Sequence, residues 1–277
     1  MSDKMKMGSE ITKKLEEFHK TSAVVAQEVI FVTWPAKILE LQALIDSTIH
    51  PSSPFHPSHA ANFTDTTVYP PPSYLADSEG SETKKRKLDS DESVNGVTSG
   101  VSATNDTRNA RYPNLMHANK HIVKVHELMK RECEQLAELI DKVKLWVNLS
   151  MPKIEDGDNF GVQIQEEVLN ELHRSQESAY NLRDAARQNF ANRAKICSKI
   201  IKYPHIEDYI LALKEHDEKQ LYVSRQNLHD LRNVYAILTD ILHKNITKIR
   251  SPKDSTRQFM WPVRRYVCSG IPRAWIA

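Results

Sequence analysis

Apolar residues recur every three or four positions over most of this chain. The pattern predicts four long helices, at 9–47, 115–150, 162–202 and 206–249. Pro35 interrupts the first pattern and predicts a kink or break there. With about 1.5 Å of rise per residue, these helices would be rods of roughly 50–65 Å. The predicted fold class is all-α, an elongated four-helix bundle.

Each predicted helix carries one apolar face that we expect to be buried. The first face is Ile11, Leu15, Phe18, Ser22, Val25, Val29 and Val32. The second is Ile122, Val125, Met129, Leu136, Leu139, Ile140, Val143, Trp146 and Val147. The third is Ile164, Val168, Leu172, Ala179, Leu182, Ala186, Phe190 and Cys197. The fourth keeps a strict three–four alternation, close to a coiled-coil seam, at Leu228, Leu231, Tyr235, Leu238, Leu242, Asn245 and Ile249.

The chain between the first two helices has a different composition. Residues 48–114 hold many prolines and small polar residues, and their apolar residues show no period. Such a segment buries too little surface to offset its ordering entropy, so we predict a disordered insert. Within it lie four consecutive basic residues, Lys84, Lys85, Arg86 and Lys87. They are either a solvated patch or a nuclear import signal, which needs an accessible segment.

A short polar loop at 153–161 separates the second and third helices. It holds the only two glycines between Val101 and Ser269, Gly157 and Gly161. Glycine is needed where the backbone takes positive φ or passes close to another surface. The loop is therefore predicted to turn sharply and to present a contact surface.

Composition narrows the functional classes. The net charge is +2, from 38 basic and 36 acidic residues, so no strong field favours nucleic acid. The three cysteines, Cys133, Cys197 and Cys268, show no metal-binding spacing, which indicates idle thiols in a reducing compartment. The chain has no apolar run of about 18 residues, so no transmembrane helix is expected. We expect a soluble intracellular protein.

Motifs for catalysis or cofactor binding are missing from the sequence. There is no glycine-rich phosphate loop and no nucleophile elbow. His117 and His121 are spaced i, i+4 and His126 follows, but no further ligand completes a metal set, so solvated histidines are the simpler interpretation. Glu155, Asp156 and Asp158 lack the layout of a calcium loop. The predicted protein is not an enzyme and needs no cofactor.

Several motifs closely resemble the 11S proteasome activator family. They are the run from Val143 to Val147, the run from Pro152 to Glu167, Arg193-Ala194-Lys195, Ser198 to Tyr209, Asp217-Glu218-Lys219 and Leu231-Arg232-Asn233. The likeness is weak over 9–47 and strong over 115–252. The basic run Lys84–Lys87 is similar to that of the nuclear, gamma-type members.

The resemblance implies a fold and an activity. Family members are four-helix bundles that form heptameric rings, and the gamma type is a homoheptamer. The ring caps the α-ring of the 20S proteasome without ATP and promotes ubiquitin-independent degradation of peptides and unfolded proteins. C-terminal tails dock on the proteasome, while a loop opens its gate; in this chain the loop would be Lys153, Ile154, Glu155, Asp156, Gly157, Asp158, Asn159, Phe160 and Gly161. A nuclear import receptor is a further expected partner, with localisation to the nucleus and some cytoplasm.

Two features depart from the family pattern. Asp158 stands where members commonly have Asn, and a carboxylate only accepts hydrogen bonds whereas an amide also donates them. The tail at 253–277 looks unrelated to the family, so Ile276 and Ala277 would form the docking terminus or docking would be impaired. The alternative function is a nuclear helical scaffold that binds partners without activating the proteasome.

Overall fold

Four long helical rods packed side by side form the body of the protein. The computed structural model describes residues 8–68, 115–152 and 160–251, and these residues contain no β-strand. The elements are α1 (Ser9–Glu28), a π turn (Val29–Thr33), α2 (Trp34–Ser47), α3 (Ser58–Phe63), α4 (Lys120–Leu149), α5 (Phe160–Lys202) and α6 (Glu207–Arg250). With 43 and 44 residues, α5 and α6 are rods of roughly 65 Å.

The rods enclose one main core. Helices α4, α5 and α6 contact one another, α1 packs on α4, and α2 packs on α6. The rod formed by α1 and α2 therefore lies diagonally opposite α5. Large side chains from all four rods are fully buried between them, including Trp34, Leu136, Ile140, Leu172, Leu228 and Tyr235. The predicted all-α four-helix bundle is confirmed.

Pro35 does not end the first rod. The chain passes from α1 into α2 through the π turn, in which the Trp34 N–H donates to the carbonyl of Val29. Pro35 then lies in the first turn of α2, where a missing N–H costs least. The predicted interruption is thus present as a wider turn rather than a break.

The predicted buried faces are mostly correct. All nine predicted residues of α4 are buried, as are all those of α6 except the half-buried Asn245. Phe190 on α5 was predicted to be buried and is exposed, because the polar Asn189 and Arg193 point inward there. Ile11, Leu15, Phe18 and Val32 of the first rod were also predicted to be buried and are exposed.

The prediction of disorder is wrong for residues 48–68. Backbone hydrogen bonds close consecutive turns at His50–Ser53, Ser53–His56 and His56–His59. The prolines at 51, 54 and 57 each occupy the second position of one of these turns, where proline is favoured and no N–H is required. Phe55 and Ala60 are buried, and α3 packs on α4 and α6. The rest of the predicted insert, 69–114, lies outside the described residues.

The first rod, Ser9–Ser47, also meets the length and composition criteria for a membrane-crossing helix. Core helices of bundles meet the same criteria. Here the rod packs on α4 and α6, and Lys37 in its middle is buried in an ion pair with Glu132, with Nζ 2.6 Å from Oε2. Its apolar face is thus used at least partly within the bundle.

Candidate functional site

The predicted contact loop begins where α4 ends. Ser150 closes the helix, because its N–H donates to the carbonyls of Trp146 and Val147 and its Oγ donates to Trp146 at 2.8 Å. Pro152 follows directly. Residues 153–159 lie outside the described residues, so the role given to Lys153–Asn159 stays a prediction. Helix α5 begins at Phe160, two residues earlier than predicted, so Phe160 and Gly161 belong to its first turn.

Gln165, a buried residue near the start of α5, contacts both the end of α4 and the end of α6. Gln165 is 0% exposed, and its Nε2 donates to the carbonyl of Ile249 at 2.9 Å and to that of Ser150 at 3.3 Å. Ile249 lies in the last turn of α6, directly before the C-terminal segment. The predicted loop and the C-terminal segment therefore leave from the same end of the bundle.

The end of α6 is also attached to the first rod. The Arg250 guanidinium donates to Gln27 at 2.8 Å and lies 5.8 Å from the ring centroid of Phe31. Two turns back along α6, the His243 ring stacks on Phe31 with centroids 4.7 Å apart. Contacts from α5 and α1 thus hold this helix end.

A buried polar network occupies the opposite end of the bundle. The Asp217 carboxylate is 0% exposed and accepts hydrogen bonds from Arg193 Nε at 3.1 Å and Thr64 Oγ1 at 2.8 Å. Arg193 also donates to the carbonyl of His117 at 3.0 Å. The network therefore ties α5 and α6 to both flanks of the 69–114 segment.

A second contact joins those flanks directly. The His117 N–H donates to the Asp65 carboxylate at 2.8 Å. Burial raises the pKa of Asp65, but the hydrogen bonds from His117 and Thr67 outweigh it and lower the net pKa. Since 65 and 117 are adjacent in space, the segment between them leaves and re-enters the bundle at one place, remote from the loop after α4.

The three histidines considered as metal ligands do not converge. The helix begins after the cap residue Asn119, whose side chain accepts from the N–H groups of His121 and Ile122, so the expected helical spacing from His117 is wrong. His121 stacks face to face on His59 with centroids 3.7 Å apart, and His126 is buried beside Phe190. Among the described residues, no group of three or more metal-binding side chains is found.

His126 makes the stability of the bundle depend on pH. Burial, with smaller contributions from Lys130 and His216, lowers the pKa of His126 to about 4. The unfolded chain binds a proton at this histidine more tightly than the folded chain does. The contribution of neutral His126 to the free energy of unfolding is therefore fully present above pH 6.5 and is lost as pH falls toward 4. We expect a loss on the order of 3 kcal/mol from this side chain.

Chemical denaturation between pH 7 and pH 4 measures this effect. The His126→Leu variant should lose less free energy of unfolding over this range than the unmodified protein. His173→Leu, a change at an exposed histidine of α5, provides the matched control. Equal pH slopes for the two variants would contradict the assignment.

Buried thiols are held in the unreactive form. Burial, reinforced by Glu132 and Glu134, raises the pKa of Cys133 to about 12. Burial also raises the pKa of Cys197. Both cysteines are free, as predicted, while Cys268 lies outside the described residues.

Comparison with known proteins identifies the family. Residues 115–259 match the family described as proteasome activator PA28, C-terminal. The chain is 34% identical over 271 residues to proteasome activator complex subunit 3 of Gallus gallus, covering 94% of this chain and all of that protein. The chain belongs to the PA28 family of proteasome activators. The resemblance to 11S activators is therefore confirmed, and the family consists of regulators of the proteasome.

Two further proteins of the PA28 family are similar to this chain over more than nine-tenths of its length. The human proteasome activator complex subunit 3 is 33% identical over 270 residues, with 94% of this chain and 100% of that protein covered. The crystal structure of the 11S subunit of the Plasmodium falciparum proteasome, PA28, superposes with a TM-score of 0.69 at 30% identity, covering 91% of this chain and all of the other.

A more remote PA28-like structure supports the fold alone. The activator in an archaebacterial 20S proteasome–PA26 complex gives a TM-score of 0.54 at 11% identity, with 87% of this chain and 93% of that chain covered. The four-helix architecture is thus retained where little sequence identity remains.

The remaining predicted site residues of this PA28 chain lie outside the described residues. They are the basic run Lys84, Lys85, Arg86 and Lys87 and the terminal pair Ile276 and Ala277. The sequence pattern predicts no structural role for Gln165, Thr64, Asp65 or Asn119. The family motifs did include Arg193 and Asp217, but only the fold shows that the two side chains form a buried pair.

Proposed function

We propose that this chain is an ATP-independent activator of the 20S proteasome. Its copies form a homoheptameric ring that binds the α-ring, opens the gate and stimulates ubiquitin-independent degradation of peptides and unfolded proteins. Similarity over 94% of the chain to proteasome activators is the observation that carries this proposal. The common exit of the predicted loop and the C-terminal segment from one bundle end supports it, since both segments then face one partner.

Exposed apolar side chains support the assembly of copies. Val24, Val32 and Leu39 on the first rod are 67%, 61% and 72% exposed. Apolar surface left on an elongated protomer favours association with another subunit. Ring formation also multiplies a weak loop contact into useful avidity.

The test combines native mass measurement with a peptidase assay. Purified full-length protein is mixed with purified 20S proteasome and fluorogenic peptides, in parallel with a version that ends at Ser255. We expect a heptamer that strongly increases peptide hydrolysis without ATP, and a weaker effect for the shortened chain. An assembled ring that leaves hydrolysis unchanged would overturn the proposal and favour the alternative of a helical scaffold.

Nuclear localisation is proposed on the basic run. The four adjacent basic residues lie in the segment between Asp65 and His117, which contact each other where this segment leaves and re-enters the bundle. A run of positive charge in such a segment suits recognition by an import receptor. Replacing Lys84–Lys87 with alanine should shift a fluorescently tagged chain from nucleus to cytoplasm. An unchanged nuclear fraction would contradict this role.

A further inference from the structure

One uncharged side chain bridges two chain segments at the loop-bearing end of the bundle. The last carbonyls of any helix have no partner within that helix. Ile249 supplies such a carbonyl at the end of α6, and Ser150 supplies one just after α4. The amide nitrogen of Gln165 carries two hydrogens, so it can donate to both at once. The observed distances of 2.9 and 3.3 Å fit this double donation.

Gln165 is better suited to this bridge than other donors. Its side chain is fully buried, and a lysine at this position would bring an uncompensated charge into the core. An acidic side chain would place its carboxylate oxygens against two carbonyl oxygens, to which it could donate no hydrogen bond when ionised. The amide therefore fixes the spacing of the two segments without burying a net charge, although its own buried Oε1 has no hydrogen-bond partner among the described residues.

We propose that Gln165 is a positioning residue that fixes the loop-bearing end of α4 relative to the tail-bearing end of α6. This role rests on the proposed function, in which the loop and the C-terminal segment act on one partner at the same time. A functional constellation loses efficiency when its parts move by about 1 Å. Without the bridge, a ring that is docked by its tails would present its loops out of register with the gate.

The fold allows this role to be tested without unfolding the bundle. Arg250 and His243 hold the end of α6 on the first rod independently of Gln165. Gln165→Met preserves side-chain length and removes both donated hydrogen bonds. Gln163→Met is the matched control, since Gln163 is exposed two residues away and bonds only to Glu167 among the described residues.

Hydrogen–deuterium exchange of the full-length protein tests the bridge itself. In Gln165→Met we expect the amides at 150–151 and 249–251 to exchange about fivefold faster, with Gln163→Met unchanged. This measurement does not depend on proteasome activation. Unchanged exchange at both segments would overturn the proposal, even if the unmodified protein failed to stimulate the proteasome.

Titration of the 20S proteasome with each assembled ring tests the functional consequence. We expect maximal stimulation by Gln165→Met to fall about fivefold while the half-maximal concentration changes less than about threefold. If Gln165 had only a structural role, Gln165→Met would lower the melting temperature or the fraction of assembled rings, while maximal stimulation per assembled ring would be unchanged. That result would overturn the positioning role. Absent stimulation by the unmodified ring would instead refute the proposed function and leave the exchange result to decide.

Discussion

Asp217→Ala is expected to destabilise the protein by about 3–5 kcal/mol, because it leaves the Arg193 guanidinium buried without its counter-charge. The pair has side chains only 0% and 8% exposed, at an Nε–Oδ1 distance of 3.1 Å. The change also removes one of the two acceptors within reach of the Thr64 hydroxyl, leaving only the carbonyl of Ala60. Urea denaturation at fixed protein concentration, with native mass measurement of the assembly state, gives the free energy of unfolding.

A surface pair provides the control. Arg187 and Asp184 on α5 are closer, at 2.6 Å, but they are exposed. Solvent screens such a pair, so Asp184→Ala should leave the denaturation midpoint nearly unchanged. The contrast depends on burial and not on distance. Equal shifts for the two variants would contradict the assignment.

A double variant separates the charge from the packing. Replacing Arg193 with Met and Asp217 with Leu removes both charges and retains most of the volume. Most of the stability lost in Asp217→Ala should return, because no unpaired charge is left in the core. Exchange at residues 53–68 should stay faster than in the unmodified protein, since Thr64 has no acceptor on α6 in either variant.

Gly157→Val is expected to reduce maximal stimulation of the 20S proteasome by at least about tenfold. A β-branched residue resists the backbone conformations for which a loop glycine is used. If the loops hold the gate open and each of seven copies loses about 0.5 kcal/mol of this stabilisation, the open gate loses about 3.5 kcal/mol, which exceeds the 1.4 kcal/mol that corresponds to a factor of ten. The peptidase assay with saturating ring measures the effect.

Gly161→Ala tests the second glycine. Gly161 lies within α5, where alanine is a better helix former by up to about 1 kcal/mol. We therefore expect near-normal stimulation from Gly161→Ala rings. Equal losses for the two variants would contradict the distinction between a loop glycine and a helix glycine. Equal activity of the Gly157→Val ring and the unmodified ring would contradict the contact role of the loop.

The Asp158→Asn variant tests the departure from the family pattern. An amide at this position can donate as well as accept hydrogen bonds, so stimulation by this ring should equal or exceed that of the unmodified ring. The same peptidase assay serves. Weaker stimulation would show that the carboxylate is adapted to its partner.

The helices and the family were predictable from the residue pattern alone. Regular apolar spacing located the rods to within a few residues. A helix that buries one face repeats its apolar residues about every 3.6 positions, and this period is visible in a short stretch of sequence. The end of α4 at Leu149 follows from Ser150 and Pro152. The start of α6 at Glu207 follows from Pro204 and the acidic residues of its first turn. The motifs between Val143 and Asn233, the run from Pro152 to Glu167 among them, indicated the family that the comparisons identify.

The buried polar residues could be identified only from the way the helices pack. Gln165, Arg193 and Asp217 look like surface residues in a helical pattern, since their partners come from 15 to 153 residues away. The proline-rich stretch after Ser47 looked disordered because its stability comes from burying Phe55 and Ala60 in the main core and packing α3 on α4 and α6, rather than from its own periodicity. Local patterns fix the elements, whereas pairings between distant elements depend on how those elements pack.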